Sequence, residues 1–260
     1  KAFNLEKEFH DRILNEASVV ERLKLYSDIY AKVHPLYHKD DELIISNNKF
    51  ASFFKKELHK KSILDVGCGN GRILKGISEN LETKELVGLD VSPIISEDNS
   101  KIKFYTKNVV EFEMDSKFDV VLSNHVLEHI APSDSSTHLK SIYNVLNEKG
   151  KFILNMPNRV FGPHDVTRIK DFTYTNNLPA MGTHINEMTY TESIKILKSI
   201  GFRKFYTYVP IVPIRSVYDK FPKLKLSPKI FMYIENSKIL LNILHKIKYK
   251  SRCVVKFDVI

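Results

Sequence analysis

Cysteine is scarce in this sequence. Cys68 and Cys253 are the only two among 260 residues, too few for a disulfide framework, so the expected setting is a reducing one. Long apolar runs are also missing. None approaches the length that crosses a bilayer, and the stretch Lys1–Glu6 lacks the apolar core of a signal peptide; the expected location is the cytoplasm. Internal repeats and low-complexity tracts are absent. Acids are outnumbered, 31 against 40 Lys and Arg for a net charge of +9, which turns the expectation towards anionic partners such as nucleic acid, acidic lipid or a phosphorylated small molecule. The shortage of acid is sharpest from Lys220 to Arg252. That stretch reads either as a local basic surface or as a plain lysine bias in composition.

What is present is enough for a core, since 43% of residues are hydrophobic, and the length fits one large domain or one domain with helical additions. Apolar residues recur at helical spacing from about residue 3 to 33, through Leu5, Phe9, Ile13, Leu14, Val20, Leu23, Leu25 and Ile29, and Pro35 is expected to end that region. A second helix is expected from about Asp40 to His59. From there short apolar runs alternate with helical patterns. The runs are Ile63–Val66, Glu85–Leu89, Ile102–Tyr105, Phe118–Ser123 and Lys151–Met156, with Phe202–Val209 and Cys253–Val259 as the last two. Helices are expected from Arg72 to about Asn80, from Ser135 to Asn147, and from Thr191 to Ser199 with Gly201 as C-cap. This order predicts an α/β, Rossmann-like fold with a mainly parallel seven-stranded sheet and helices on both faces, plus N-terminal helices and helical insertions. The expected division is an N-terminal helical cap (1–60), a ligand-binding core (61–209) interrupted by an insertion (157–188), a helical insertion or lid (210–250) and a final core strand (251–260).

The most informative stretch runs from Ile63 to Arg72. Three glycines in five residues, Gly67, Gly69 and Gly71, lie between a buried strand and a helix, where the backbone must turn sharply and let a ligand approach. The spacing G-x-G-x-G is not the G-x-G-x-x-G of a dinucleotide site. Asp65, two residues before the first glycine, suits a ligand that carries an ammonium group. Asp90 closes the second strand, where a carboxylate can accept both hydroxyls of a ribose, and Val91 offers an apolar face to a ring. After the third strand, Asn108 can accept from a ring amino group while the N–H of Val109 reaches a ring nitrogen.

Further along, His125, Glu128 and His129 stand at i, i+3 and i+4 just after the fourth strand. If a helix begins there, the three share one face. His184 with Glu187, and His164 with Asp165 and Arg168, lie in the segment that should roof the site. Three readings of the histidines stand side by side. His125, Glu128, His129 and His184 could hold a divalent metal, of a kind softer than magnesium, that lowers the pKa of an acceptor hydroxyl. One of His125, His129, His164 and His184 could instead be a general base. Or His129 simply packs within the helical layer. Arg159 and Arg168 could bind a phosphate or carboxylate of the acceptor, with Asp165 beside them, or pair with neighbouring acids and shape the loop.

From about Ser62 to Phe205 the sequence resembles the class I S-adenosylmethionine-dependent methyltransferases. Asp65-Val66-Gly67-Cys68-Gly69-Asn70-Gly71 looks like their first motif, Asp90 like their ribose-binding acid, and Asn108 stands where many members carry aspartate. The resemblance implies S-adenosyl-L-methionine as cofactor, held by Asp65, Gly67, Cys68, Gly69, Asp90, Val91, Asn108, Val109 and Asn124. Leu127-Glu128-His129-Ile130, Met156-Pro157-Asn158 and Gly182-Thr183-His184 look like the ubiquinone-pathway O-methyltransferases. They are also similar to the enzymes that 2′-O-methylate small-RNA 3′ ends, in which a Glu-x-x-Glu-His run and a distant histidine hold a metal; here His125 replaces the first glutamate. Weaker similarity points to small-molecule methyltransferases of cell-surface polysaccharide pathways. The expectation is an O-methyltransferase of a small anionic acceptor, such as a nucleotide-linked sugar or phosphoramidate of capsule biosynthesis. The alternatives are a metal-dependent O-methyltransferase of a quinone precursor or an RNA 2′-hydroxyl, and a non-catalytic S-adenosylmethionine-binding protein. The basic segment from Ser216 to Lys250 reads as a lid, a dimer surface or a peripheral membrane contact, and the chain as a monomer or homodimer.

Overall fold

The computed structural model describes residues 2–37, 44–91, 100–158, 160, 184–210 and 223–251. Four helices come first: α1 (Ala2–Asn15), α2 (Val19–Tyr37), α3 (Ile44–Phe53) and α4 (Lys55–Leu58). The N-terminal helical region breaks at Glu16–Ser18 rather than at Pro35, which falls in the last turn of α2. Ser18 starts α2 because its side chain accepts from the N–H of Glu21 at 3.4 Å, and its own N–H donates to Glu16 at 2.8 Å, satisfying donors that a helix start leaves open.

The alternation of strands and helices follows: β1 (Ser62–Val66), α5 (Arg72–Asn80), β2 (Glu85–Asp90), β3 (Ile102–Thr106), β4 (Phe118–Asn124), α6 (Ser135–Asn144), β5 (Leu146–Asn155) and α7 (Tyr190–Ile200). The five strands form one parallel sheet in the order β3-β2-β1-β4-β5. Side chains of a strand alternate between faces, and both faces here are apolar. Leu64, Val66, Val87, Leu89 and Val121 join Phe9, Ile13, Leu25, Tyr26 and Leu139 in one core. Ile63, Leu86, Val120 and Leu122 join Phe54, Leu58, Leu74 and Ile77 in the other. The central strands therefore read as near-continuous hydrophobic runs because helices cover both sides.

The Rossmann-like expectation holds, but among the described residues the main sheet has five strands rather than seven. The run ending at Val209 does not join it. Its last part forms β6 (Thr207–Pro210), which pairs antiparallel with β7 (Lys223–Leu226) in a separate two-stranded sheet. Lys223 pins that hairpin to the second core: its ammonium lies 4.4–4.7 Å from the ring centres of Phe53, Phe54 and Tyr208 and 3.2 Å from Glu57. The expected final strand Cys253–Val259 lies outside the described residues. Two helices, α8 (Lys229–Glu235) and α9 (Lys238–Ser251), complete the chain. Glu235 ties α8 to the start of α7 by accepting from the N–H groups of Tyr190 and Thr191. No helix among the described residues is long and apolar enough to cross a membrane.

The strand order reverses between β1 and β4, so the loops that leave their carboxyl ends diverge and open a crevice. The glycine loop leaves β1 and His125 leaves β4; both enter that crevice.

Candidate functional site

The glycine loop is folded by its own backbone and by β2. Gly67 and Cys68 donate to the carbonyl of Leu89 at 2.7 and 3.2 Å, and Gly69 donates to the carboxylate of Asp90 at 2.8 Å. Gly67 and Gly69 both lie in the left-handed region, with φ of 77° and 55°. A Cβ on Gly67 would come within 2.3 Å of Val126, and one on Gly69 within 2.5 Å of the Tyr30 hydroxyl. Val126 after β4 and Tyr30 of α2 thus leave no room for a side chain at these two positions. Cys68 is buried, and burial with the nearby Asp65 and Asp90 pushes its thiol pKa well up. Asp65 is 2% exposed. Burial, and then the proximity of Asp90, raises its pKa to about 7.

A cavity of about 240 Å³ lies above this loop. It is lined by Gly67, Asp90, Val91 and Val109, by His125, Val126 and His129, and by Tyr26, Ile29, Tyr30 and Val33 of α2 and Glu6 and His10 of α1. The backbone at Val109 is held from behind by His138, whose Nδ1 lies 2.6 Å from the Val109 carbonyl. His138 is fully buried, and burial lowers its pKa to about 4, so it stays neutral there. Asn108 turns its side-chain oxygen onto the N–H groups of Val110 and Glu111, at 2.7 and 3.4 Å. That oxygen caps its own turn. Asn124 likewise accepts from the side chain of Asn155 at 2.6 Å.

The cap is fixed to the core through Asp134. Arg22 of α2 reaches its two carboxylate oxygens at 2.6 and 3.0 Å, and the Tyr26 hydroxyl donates to it at 3.0 Å while accepting from Ala131 N–H at 2.8 Å. Burial by itself would push the Asp134 carboxyl up, but hydrogen bonds from Arg22 and Tyr26 hold it below its ordinary value.

The histidines do not share a helical face as the spacing suggested. The β4–β5 pairing runs to the end, with Asn124 opposite Asn155 and His125 N–H donating to the Asn155 carbonyl at 2.8 Å. This holds His125 in a left-handed conformation, φ 56°, a local strain of the kind that clusters at functional sites. Only a 3-10 turn, Leu127–His129, follows. Tertiary contacts do what a helix would have done. His125 Nδ1 lies 3.0 Å from Glu128 Oε1. The carbonyl of Glu128 accepts from Ile185 and Asn186 N–H at 2.9 and 3.0 Å, and Asn186 also donates to Leu127 and Ser135. This tether brings His184 against His129, with ring centres 5.0 Å apart and edge to face. His184 Nδ1 in turn lies 2.5 Å from Glu187.

Glu128 is completely buried. Burial would push its pKa up, yet the His125 hydrogen bond and the imidazoles of His125, His129 and His184 hold it below the ordinary value. Its second oxygen is buried with no hydrogen-bond partner among the described residues. Glu128, His129 and His184 present ligand atoms within 4.8 Å of one another. His125 falls outside that group and is instead the hydrogen-bond partner of Glu128. Two residues that the sequence reading passed over join the cluster from α1: Glu6, His10 and His129 form a second group within the same limit. The available signal was a pair at i and i+4 that interrupts the apolar stripe Leu5, Phe9, Ile13. His164, Arg159, Asp165 and Arg168, expected at the acceptor side, lie outside the described residues, as does most of the insertion 157–188.

Against known proteins, the sequence model of the family described as "Methyltransferase domain" matches residues 37–206. The carboxy-S-adenosyl-L-methionine synthase of Campylobacter curvus is 26% identical over 141 residues, 51% of this chain and 58% of that protein. The ubiquinone biosynthesis O-methyltransferase of Rickettsia akari is 30% identical over 95 residues, 32% of this chain and 35% of that protein. The chain thus spans about a third to three fifths of the length of these two relatives. Among solved structures, the 1,6-didemethyltoxoflavin-N1-methyltransferase of Burkholderia thailandensis, determined with S-adenosylhomocysteine bound, shares the fold. Its TM-score is 0.53 at 19% identity, over 81% of this chain and 89% of that one.

Proposed function

Because the chain belongs to the methyltransferase-domain family and is of the class I, S-adenosylmethionine-dependent kind, we propose that it moves the donor's methyl group to a hydroxyl oxygen of a small, anionic acceptor. One observation carries this reading: His125, held by the buried Glu128, lines the same cavity as Gly67 of the glycine loop and Asp90. The donor lies along the loop, its ribose towards Asp90, its ring between Val91 and Val109 and its ammonium towards Asp65. The sulfonium is already activated, so the protein's part is to align the acceptor with the S–CH₃ bond and take up its proton. Glu128 orients the His125 ring through Nδ1, and that imidazole takes up the proton as the O–CH₃ bond forms and the sulfur leaves as a neutral thioether.

A divalent metal, implied by the resemblance to small-RNA methyltransferases, fits the residues present. Glu128 carries a buried oxygen outside its bond to His125. The His184–Glu187 contact is of the carboxylate–histidine type that orients ligating imidazoles. Glu128, His129 and His184 would hold the ion, which would supply Lewis acidity to the acceptor oxygen. The net charge of +9 supports an anionic acceptor. A capsule-type nucleotide acceptor has no further support, because the arginines that suggested it lie outside the described residues.

The test is methyl transfer from labelled S-adenosylmethionine to three acceptor classes: a catechol, a nucleotide sugar and a short RNA. His125→Ala should lower turnover by about 10²–10⁴-fold and leave S-adenosylhomocysteine affinity in place. Unchanged turnover in that variant refutes His125 as the base. Donor binding with no transfer to any of the three would favour a binding protein without catalysis.

A further inference from the structure

α1 faces the core with Glu6, Phe9, His10 and Ile13, spaced at i, i+3, i+4 and i+7 as on an apolar stripe. Two of these four are ionisable, and both are buried: Glu6 is 8% exposed and His10 1%. Burying such groups on a packing face costs free energy unless they meet a charge or a ligand. They meet His129. Its Nδ1 lies 3.8 Å from Glu6 Oε1 and its ring centre 5.5 Å from that of His10. All three line the cavity above the glycine loop. One carboxylate oxygen and two imidazole nitrogens within 4.8 Å of one another form a ligand set for a borderline divalent cation, such as zinc, manganese, iron or cobalt, rather than magnesium. His129 belongs to this group and to the Glu128–His129–His184 group alike.

We propose that Glu6 and His10 complete the cation centre, so that one divalent ion is held between the N-terminal helix and the core and draws α1 down over the donor cleft. The proposal rests on the reading of Glu128, His129 and His184 as cation ligands and adds to it two ligands from outside the methyltransferase core. The ion then has a second consequence besides its chemistry at the acceptor. Because residues of α1 and α2 line the cleft together with Asp90 and Val109, their position sets access to it, and cation occupancy becomes linked to closure of the cap by mass action.

Cobalt(II) is the probe, because its visible bands report nitrogen and oxygen ligation directly. The full chain should bind one cobalt ion, with visible bands appearing in proportion until one equivalent. Glu6→Gln and His10→Gln should each weaken that binding by roughly tenfold or more and change the band shape. Hydrogen exchange in α1 should slow when cobalt is added to the wild type and not when it is added to His10→Gln. Circular dichroism and a urea melt establish that each variant is folded. If His184→Gln weakens cobalt binding while Glu6→Gln and His10→Gln bind as the wild type does, the core holds the ion alone and the proposal is overturned. If the wild type shows no bands, both the cation centre and its completion by α1 are overturned. S-adenosylhomocysteine calorimetry on the same preparation reads the donor site separately: absence of uptake there counts against the methyltransferase reading, whatever cobalt does.

Discussion

Acidification should weaken donor binding through one buried carboxyl. Asp65 closes β1 and is 2% exposed. Burial, then the proximity of Asp90, raises its pKa to about 7 from the ordinary 3.8. At pH 6 roughly nine in ten unliganded chains therefore carry a proton on Asp65. A ligand ammonium favours the carboxylate, so donor binding must expel that proton. S-adenosylhomocysteine affinity should fall by about tenfold between the ionised limit and pH 6, equivalent to about 1.4 kcal/mol. Calorimetry in two buffers of different ionisation enthalpy should show about one proton released per ligand at pH 6 and almost none at pH 8.5. Asp65→Asn should abolish the release and flatten the pH dependence. The unliganded protein follows the same linkage with the sign of a raised carboxyl. Between about pH 4 and pH 7 the folded state binds more protons than the unfolded one, so this group's contribution to stability falls as pH rises, by an amount on the order of 4 kcal/mol across the window. No proton exchange at pH 6, or proton uptake, would refute the assignment of Asp65 to the ligand's ammonium.

Three further perturbations test the architecture. Arg22→Ala strands the buried carboxylate of Asp134 and should lower stability by about 3–5 kcal/mol in urea titration, with the double variant Arg22→Ala, Asp134→Ala recovering part of the loss; a shift below 1 kcal/mol would mean that the pair does not anchor α2. Gly67→Ala places a Cβ 2.3 Å from Val126 at a φ of 77°, and should eliminate S-adenosylhomocysteine binding in calorimetry; Val126→Ala in the same chain relieves the clash but not the backbone strain, so binding should return only in part. Thr189→Ala removes the capping box with Glu192 at the start of α7 and should cost about 1 kcal/mol in a urea midpoint measurement.

The parts legible from the sequence are those in which chain neighbours carry the cause. A strand buried on both faces must be apolar at most consecutive positions, so Ile63–Val66 and Phe118–Leu122 announce themselves despite Asp65 and Asp119. A loop that turns within five residues beneath a helix must use glycine, so Gly67, Gly69 and Gly71 do too. The i, i+3, i+4 pattern at His125, Glu128 and His129 misled because helical spacing assumes a helix. There the strand ladder ran on to His125 and Asn155, and hydrogen bonding to a neighbouring strand outweighed local preference. The strand-like run at Phe202–Val209 misled for a related reason: β character is visible locally, whereas the partner strand is not.

Residue order along the chain was therefore enough to indicate the alternation of strands and helices, the glycine turn and the carboxylates of Asp65 and Asp90, since each is marked by residues a few positions apart, although the loop's hydrogen bonds to Leu89 and Asp90 come from β2. The meeting of Glu6, His10, His129 and His184 was not set that way. It arises because α1 packs on the core and the 184–188 segment is tethered to the Glu128 backbone. Such contacts join segments far apart in the chain, and their energies come from burial and long-range hydrogen bonds that no local pattern encodes.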